Sequence, residues 1–211
     1  MEKKIQKKTE YKHINKLSLF KELDGDNYAT LKWSVRNGYP RVTVFTENNV
    51  MLPAGKMDYS KVITAPFDAI TLNGILILFE GIINSKEKKH ITVNCYNAKY
   101  ENNVKTNDVA LQGKFVIGKD ENGINYMAVT EEGKPKIKFE LAPSKKWFKF
   151  LGDNGDEMAN LSNAYATGYI KLLTSALEHV IKTDITVSTI EDNRKKTETI
   201  NDINVTDELE F

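Results

Sequence analysis

From Asn27 to Arg36 the chain alternates apolar and polar residues. Ala29, Leu31, Trp33 and Val35 fall on one side and Tyr28, Thr30, Lys32, Ser34 and Arg36 on the other. In an extended chain successive side chains point to opposite faces, so this period of two predicts a strand with one buried face. Asn37-Gly38-Tyr39-Pro40 then supplies turn chemistry, and alternation resumes from Arg41 to Thr46, with Val42 and Val44 opposed by Arg41, Thr43 and Phe45. The two segments are predicted to pair as a β-hairpin. A hairpin with one apolar face needs a second layer to cover it, which demands a packed β-rich domain.

The remaining pattern supplies that layer. Lys61 to Ala65 reads as a short strand before Pro66, and residues 67–83 place apolar side chains at 72, 75, 76, 79, 82 and 83. The run reads as helix or strand, and Pro66 at its start together with that spacing favours helix, although Gly74 and Gly81 each weaken a helix by about 1 kcal/mol relative to Ala. Lys89–Tyr100, Asp108–Lys119 and Ile124–Thr130 read as strands, the last two joined by Asp120-Glu121-Asn122-Gly123. Lys136–Leu141 is another, with Ile137, Phe139 and Leu141 inward, and 145–150 reads as strand or loop. Asp156–Lys182 is predicted to form a long C-terminal helix with a stripe of Leu161, Ala164, Tyr165, Gly168, Leu172, Ala176, Leu177 and Val180. The expected fold class is a β-rich α+β domain: a small closed or nearly closed barrel with one internal helix and the long terminal helix.

Charge separates the ends from this body. The 211 residues carry 30 Lys+Arg and 29 Asp+Glu, a formal charge of +1. Yet residues 1–17 hold six lysines against two glutamates, and residues 184–211 hold eight acidic groups against three basic ones. The expected organisation is a basic arm over 1–17, a folded domain over 18–183 and a disordered acidic tail over 184–211, too polar to offset its ordering entropy. The longest apolar run, Ile75–Phe79, falls far short of the about 20 residues a bilayer span needs, so no membrane contact is expected. The basic N-terminus has no apolar run behind it and does not read as a secretory signal. Cys95 is the only cysteine, which excludes an intramolecular disulfide and makes the cytoplasm the default compartment.

The catalytic inventory is thin. His13, His90 and His179 lie at no metal-ligand spacing from one another or from Cys95, and no phosphate loop, nucleophile elbow or dinucleotide fingerprint occurs. Cys95 falls on the Ile91/Val93 side of its strand and reads as a buried thiol. No enzyme activity, metal or cofactor is expected.

Basic and aromatic residues instead recur together. The polar side of the first hairpin presents Tyr28, Lys32, Arg36, Arg41 and Phe45; the strand from Lys89 adds His90, Tyr96 and Tyr100; and Lys145, Lys146, Trp147 and Lys149 form a third cluster. Single-stranded nucleic acid is held by such a mixture, cations following phosphates and flat rings stacking on bases. Taken singly, each cluster also matches ordinary solvated strand surface.

With the terminal Asp207-Glu208-Leu209-Glu210-Phe211, the whole resembles the single-stranded DNA-binding proteins of bacteriophages. The resemblance implies an OB-fold-like barrel that coats and protects single strands during replication, recombination and repair, in the host cytoplasm if the chain is phage-encoded. It implies further that Asp207, Glu208, Glu210 and Phe211 recruit replication proteins such as polymerase, helicase or primase, and compete with DNA for the cationic groove. A homodimer is compatible with this reading. Two other classes remain open: a structural or protein-interaction β-domain, such as a phage particle component, and an enzyme of nucleic-acid metabolism using a carboxylate-bound metal.

Overall fold

The computed structural model describes residues 12–36, 38–48, 50–52, 55–101, 104–143 and 157–206. Its elements run β1 (Lys12–His13), β2 (Leu19–Glu22), β3 (Tyr28–Arg36), β4 (Tyr39–Phe45), β5 (Val62–Pro66), α1 (Ala69–Asn84), β6 (Lys89–Glu101), β7 (Val104–Lys119), β8 (Asn125–Thr130), β9 (Ile137–Glu140) and α2 (Glu157–Thr206). The chain is thus a mixed α+β protein in which an antiparallel meander followed by a helix occurs twice. In the first sheet β1 and β2 share one edge of β3, and β4 and β5 follow; the second has the order β6-β7-β8-β9.

The strands form where alternation places them. Ala29, Leu31, Trp33, Val35, Val42 and Val44 are all fully buried on the inner face of the first sheet, and Ile137, Phe139 and Leu141 are buried as their spacing predicts. Gly38 takes a positive φ of 75° at the β3–β4 turn, a conformation that costs glycine nothing. Asp120 closes the β7–β8 turn by accepting from the backbone N–H groups of Asn122 (3.0 Å) and Ile124 (2.9 Å).

The barrel expectation is corrected. Among the described residues no ladder joins one sheet to the other, so the strands form two open sheets rather than a closed or nearly closed barrel. Each sheet has one apolar face, and both faces are satisfied by packing on one another through side chains. Phe115 lies edge-on to Trp33 (centroids 5.9 Å) and to Phe67 (5.4 Å), filling the space between the sheets. Both helices bridge the sheets: α1 meets β4 and β7, while α2 meets β3, β4 and β8.

Helix α1 buries the predicted stripe, Leu72, Ile75, Leu76, Phe79, Ile82 and Ile83. It starts at Asp68, whose carboxylate accepts from Thr71 N–H at 2.8 Å. At its other end the buried Lys119 ammonium donates to the carbonyls of Ile83 (2.5 Å) and Ser85 (2.6 Å), positive charge meeting the negative helix terminus.

Helix α2 departs from expectation twice. Its buried face is Ser162, Ala166, Tyr169, Ile170, Leu173 and Leu177, whereas Ala164, Tyr165, Gly168 and Leu172 of the predicted stripe are exposed. Two apolar stripes lie side by side on this helix, and tertiary hydrogen bonds select between them. Trp33 Nε1–H donates to Tyr169 Oη at 3.0 Å, and that hydroxyl donates to Leu17 O at 2.7 Å. The helix also continues past the expected end at Lys182 to Thr206, so residues 184–206 expected to be disordered have a helical backbone. No helix of the described residues is long and apolar enough to cross a membrane.

Candidate nucleic-acid interface

The side of the first sheet turned away from the core gathers the five predicted hairpin residues. Tyr28, Lys32 and Arg36 stand on β3, and Arg41 and Phe45 on β4, in a register that pairs Thr30 with Phe45, Lys32 with Thr43, Ser34 with Arg41 and Arg36 with Tyr39. The Lys32 ammonium sits 5.2 Å from the Phe45 ring centroid, a cation–π contact that holds both side chains to the sheet. At one end Phe20, on β2 opposite Thr30, packs edge-on against Tyr28 at 5.9 Å. Phe20 escaped the sequence reading because β2 has four residues and buries only Leu19 fully, too short a stretch for a period to register.

At the other end this face opens into a cleft of about 880 Å³ between the two sheets. One wall carries Arg36, Tyr39, Arg41, Pro66, Phe67, Asp68 and Thr71; the other carries residues 93–98 of β6 and 106–109 of β7. The cleft therefore unites Arg36 and Arg41 with Tyr96, groups from two of the predicted clusters. It adds Tyr39 and the amides Asn94, Asn97 and Asn107, which alternation alone could not assign to a common site. The second wall is a ribbon: β8 pairs only with Lys114–Lys119, so β6 and β7 continue past it as two strands. The register shifts between Cys95 and Tyr96, where Gln112 of β7 is skipped in the ladder, and again between Ala98 and Tyr100, and these irregularities bend the ribbon along its length. Tyr96, Val104, Val109 and Leu111 are exposed on it.

Two of the cleft's titratable groups, Asp68 and Cys95, are shifted by their surroundings. The Asp68 carboxyl is held below its ordinary value by its hydrogen bonds from Thr71. Cys95 is buried at the cleft floor as predicted; burial raises its pKa, and its thiol lies 3.7 Å from Val93 O. A thiol held protonated is a poor nucleophile.

The other predicted residues fall elsewhere. His90 is exposed on the second sheet, paired with Gly118 and outside the cleft lining. Tyr100 pairs with Lys105 toward the ribbon's tip. Lys145, Lys146, Trp147 and Lys149, together with Asp207, Glu208, Glu210 and Phe211, lie outside the described residues. Among the described residues no three His, Cys, Asp or Glu side chains form a group that could hold a metal ion. No protein-family model, curated protein or solved structure matches the chain.

Proposed function

We propose that this chain is a sequence-independent single-stranded DNA-binding protein, of the kind that coats exposed strands during replication, recombination and repair. The observation that carries the reading is the continuity of one surface. Phe20, Tyr28, Lys32 and Phe45 lead along the outer sheet face to Arg36, Arg41, Tyr39 and Tyr96 in the cleft. A strand of nucleic acid fits such a surface, cations following its backbone and rings taking its bases, without sequence readout. From Tyr28 to Arg36 the strand rises about 26 Å at 3.3 Å per residue, room for several nucleotides. The reading needs an open sheet face and not a closed OB barrel. The acidic end, Asp207 to Phe211, is assigned to recruitment of replication proteins by the resemblance alone.

The test is fluorescence anisotropy of a labelled oligo-dT of about 30 nucleotides with a duplex of equal length alongside. Tight, salt-sensitive binding to the single strand and weak binding to duplex are expected. Tyr96→Ala is expected to cost about 1–3 kcal/mol, one stacked base. Absence of single-strand binding at low salt overturns the proposal. It would leave the second reading, a protein-interaction domain, which draws on the exposed Val104, Val109 and Leu111 of the ribbon.

A further inference from the structure

Helix α1 has one charged residue, Glu80, in 16. Its core side is the stripe already described. Diametrically opposite, at positions i, i+4, i+7 and i+11, lie Ile70, Gly74, Ile77 and Gly81, a second ridge with no charge on it. Ile70 is 86% exposed and Ile77 59%, with Leu78 beside them at 56%. Scattered exposed apolar residues are ordinary on protein surfaces. The ridge joins two isoleucines and two glycines without a polar residue, while the exposed Thr71, Asn73, Glu80 and Asn84 lie on its flanks, so the apolar strip is narrow and continuous.

The glycines sharpen the point. Each weakens the helix, and a Cβ added at Gly74 or Gly81 would meet nothing within 4 Å. Nothing within one copy of the described fold requires either position to be small. A second helix lying along the ridge would.

The geometry points to a second copy of this chain, docked α1 against α1 about a two-fold axis. The order of large and small residues selects that occupant. With the helices antiparallel and the axis at the level of Ile75 and Leu76, Ile70 of one copy lies over Gly81 of the other, and Ile77 packs against Gly74. Both pairs recur by symmetry, so the ridge is its own complement, as an isologous interface requires. Glycine opposite isoleucine lets the two backbones approach closely, and the antiparallel arrangement sets opposite helix dipoles side by side. Nucleic acid is a poor occupant, because Ala69–Asn84 contains no cation. One 16-residue helix is about 24 Å long, so a single helix pair falls below the usual size of stable interfaces and the association is weak and concentration-dependent.

Sedimentation velocity of the full-length protein, free of nucleic acid, from about 1 µM to a few hundred µM tests this. The weight-average mass is expected to climb from one chain of 24.0 kDa toward two. Ile77→Glu and Gly81→Ile should both stay at one chain across that range, with thermal unfolding close to the parent's at the lowest concentration, where the parent is also one chain, since both positions are exposed. The register has its own check. A chain carrying Ile70→Cys and Gly81→Cys should form a covalent dimer on mild oxidation, whereas Ile70→Cys alone should not.

A parent protein that stays monomeric throughout overturns the inference. So does association that survives both ridge variants, or cross-linking by Ile70→Cys alone. Monomeric protein that instead cosediments with anionic lipid vesicles, and loses that on Ile77→Glu, would replace the second copy by a membrane surface. The assay contains no DNA, so its result stands apart from that of the binding experiment.

Discussion

Ser162 is a small polar residue in the buried stripe of α2, and it earns that place through hydrogen bonds. Its Oγ accepts from Asn125 N–H at 2.8 Å and donates to Leu141 O at 2.8 Å, while Asn125 Nδ2 reaches Asn163 Oδ1 at 2.9 Å. One hydroxyl thus ties α2 to the starts of β8 and the end of β9. Ser162→Ala is expected to leave a buried donor and a buried carbonyl short of partners, costing about 1–3 kcal/mol in urea unfolding with an unchanged m-value. Asp120 gives the pH-dependent counterpart. Partial burial raises its pKa, but Lys138 at 2.7 Å and the two turn N–H groups outweigh that and hold it below its ordinary 3.8. Its contribution is therefore complete above about pH 4 and lost as pH falls through the lowered folded value. The melting-temperature gap between the parent and Asp120→Ala should be constant near neutrality and shrink below about pH 4; a gap that widens in acid would refute the assignment. Side chains placed by hydropathy, such as Leu31 and Val44, were legible in the sequence. Ser162 was not, because hydropathy grades residues one at a time and its burial depends on partners 21 and 37 positions away.

At the scale of elements, period together with turn residues located β3 to β9, and period with Pro66 located the buried stripe of α1, because a half-buried element repeats its apolar positions. It did not locate the way the sheets meet. Strand register within a sheet follows local alternation, but whether two meanders close or stack depends on which faces fit, and that information lies in Phe115 and Trp33 meeting across the core. On α2 two apolar stripes lie one residue apart, and the buried one carries Tyr169, whose hydroxyl joins Trp33 to Leu17. Gly74→Ala has open space for its methyl group and should stabilise the folded monomer by about 0.5–1 kcal/mol by calorimetry at low concentration. The same substitution should weaken self-association at high concentration. A residue that was small for reasons of its own fold would show no such opposition, so loss of monomer stability would remove the argument that the glycines serve a neighbour.

For the whole molecule the governing quantity is charge, and a formal +1 conceals it. Binding to a polyanion depends on cations that meet phosphates, and Lys32, Arg36 and Arg41 share the proposed path. Each phosphate neutralised on a single strand contributes about −0.7 to the slope of log K against log salt, so these three supply about −2. Arg41→Ala is expected to flatten the measured slope by about 0.7, and an unaltered slope would take Arg41 off the path. If the acidic end competes with DNA for this path, it enters the same term with opposite sign. Removing residues 207–211 deletes Asp207, Glu208 and Glu210, and if these compete with DNA for Arg36 and Arg41 the truncated protein should bind oligo-dT more tightly at low salt. The advantage should fade as salt rises, because screening shortens to about 3 Å at 1 M. A gain that persists at high salt would mean the end blocks the cleft by apolar contact through Leu209 and Phe211. No gain at any salt would separate the end from the cleft and leave recruitment of other proteins as its proposed role.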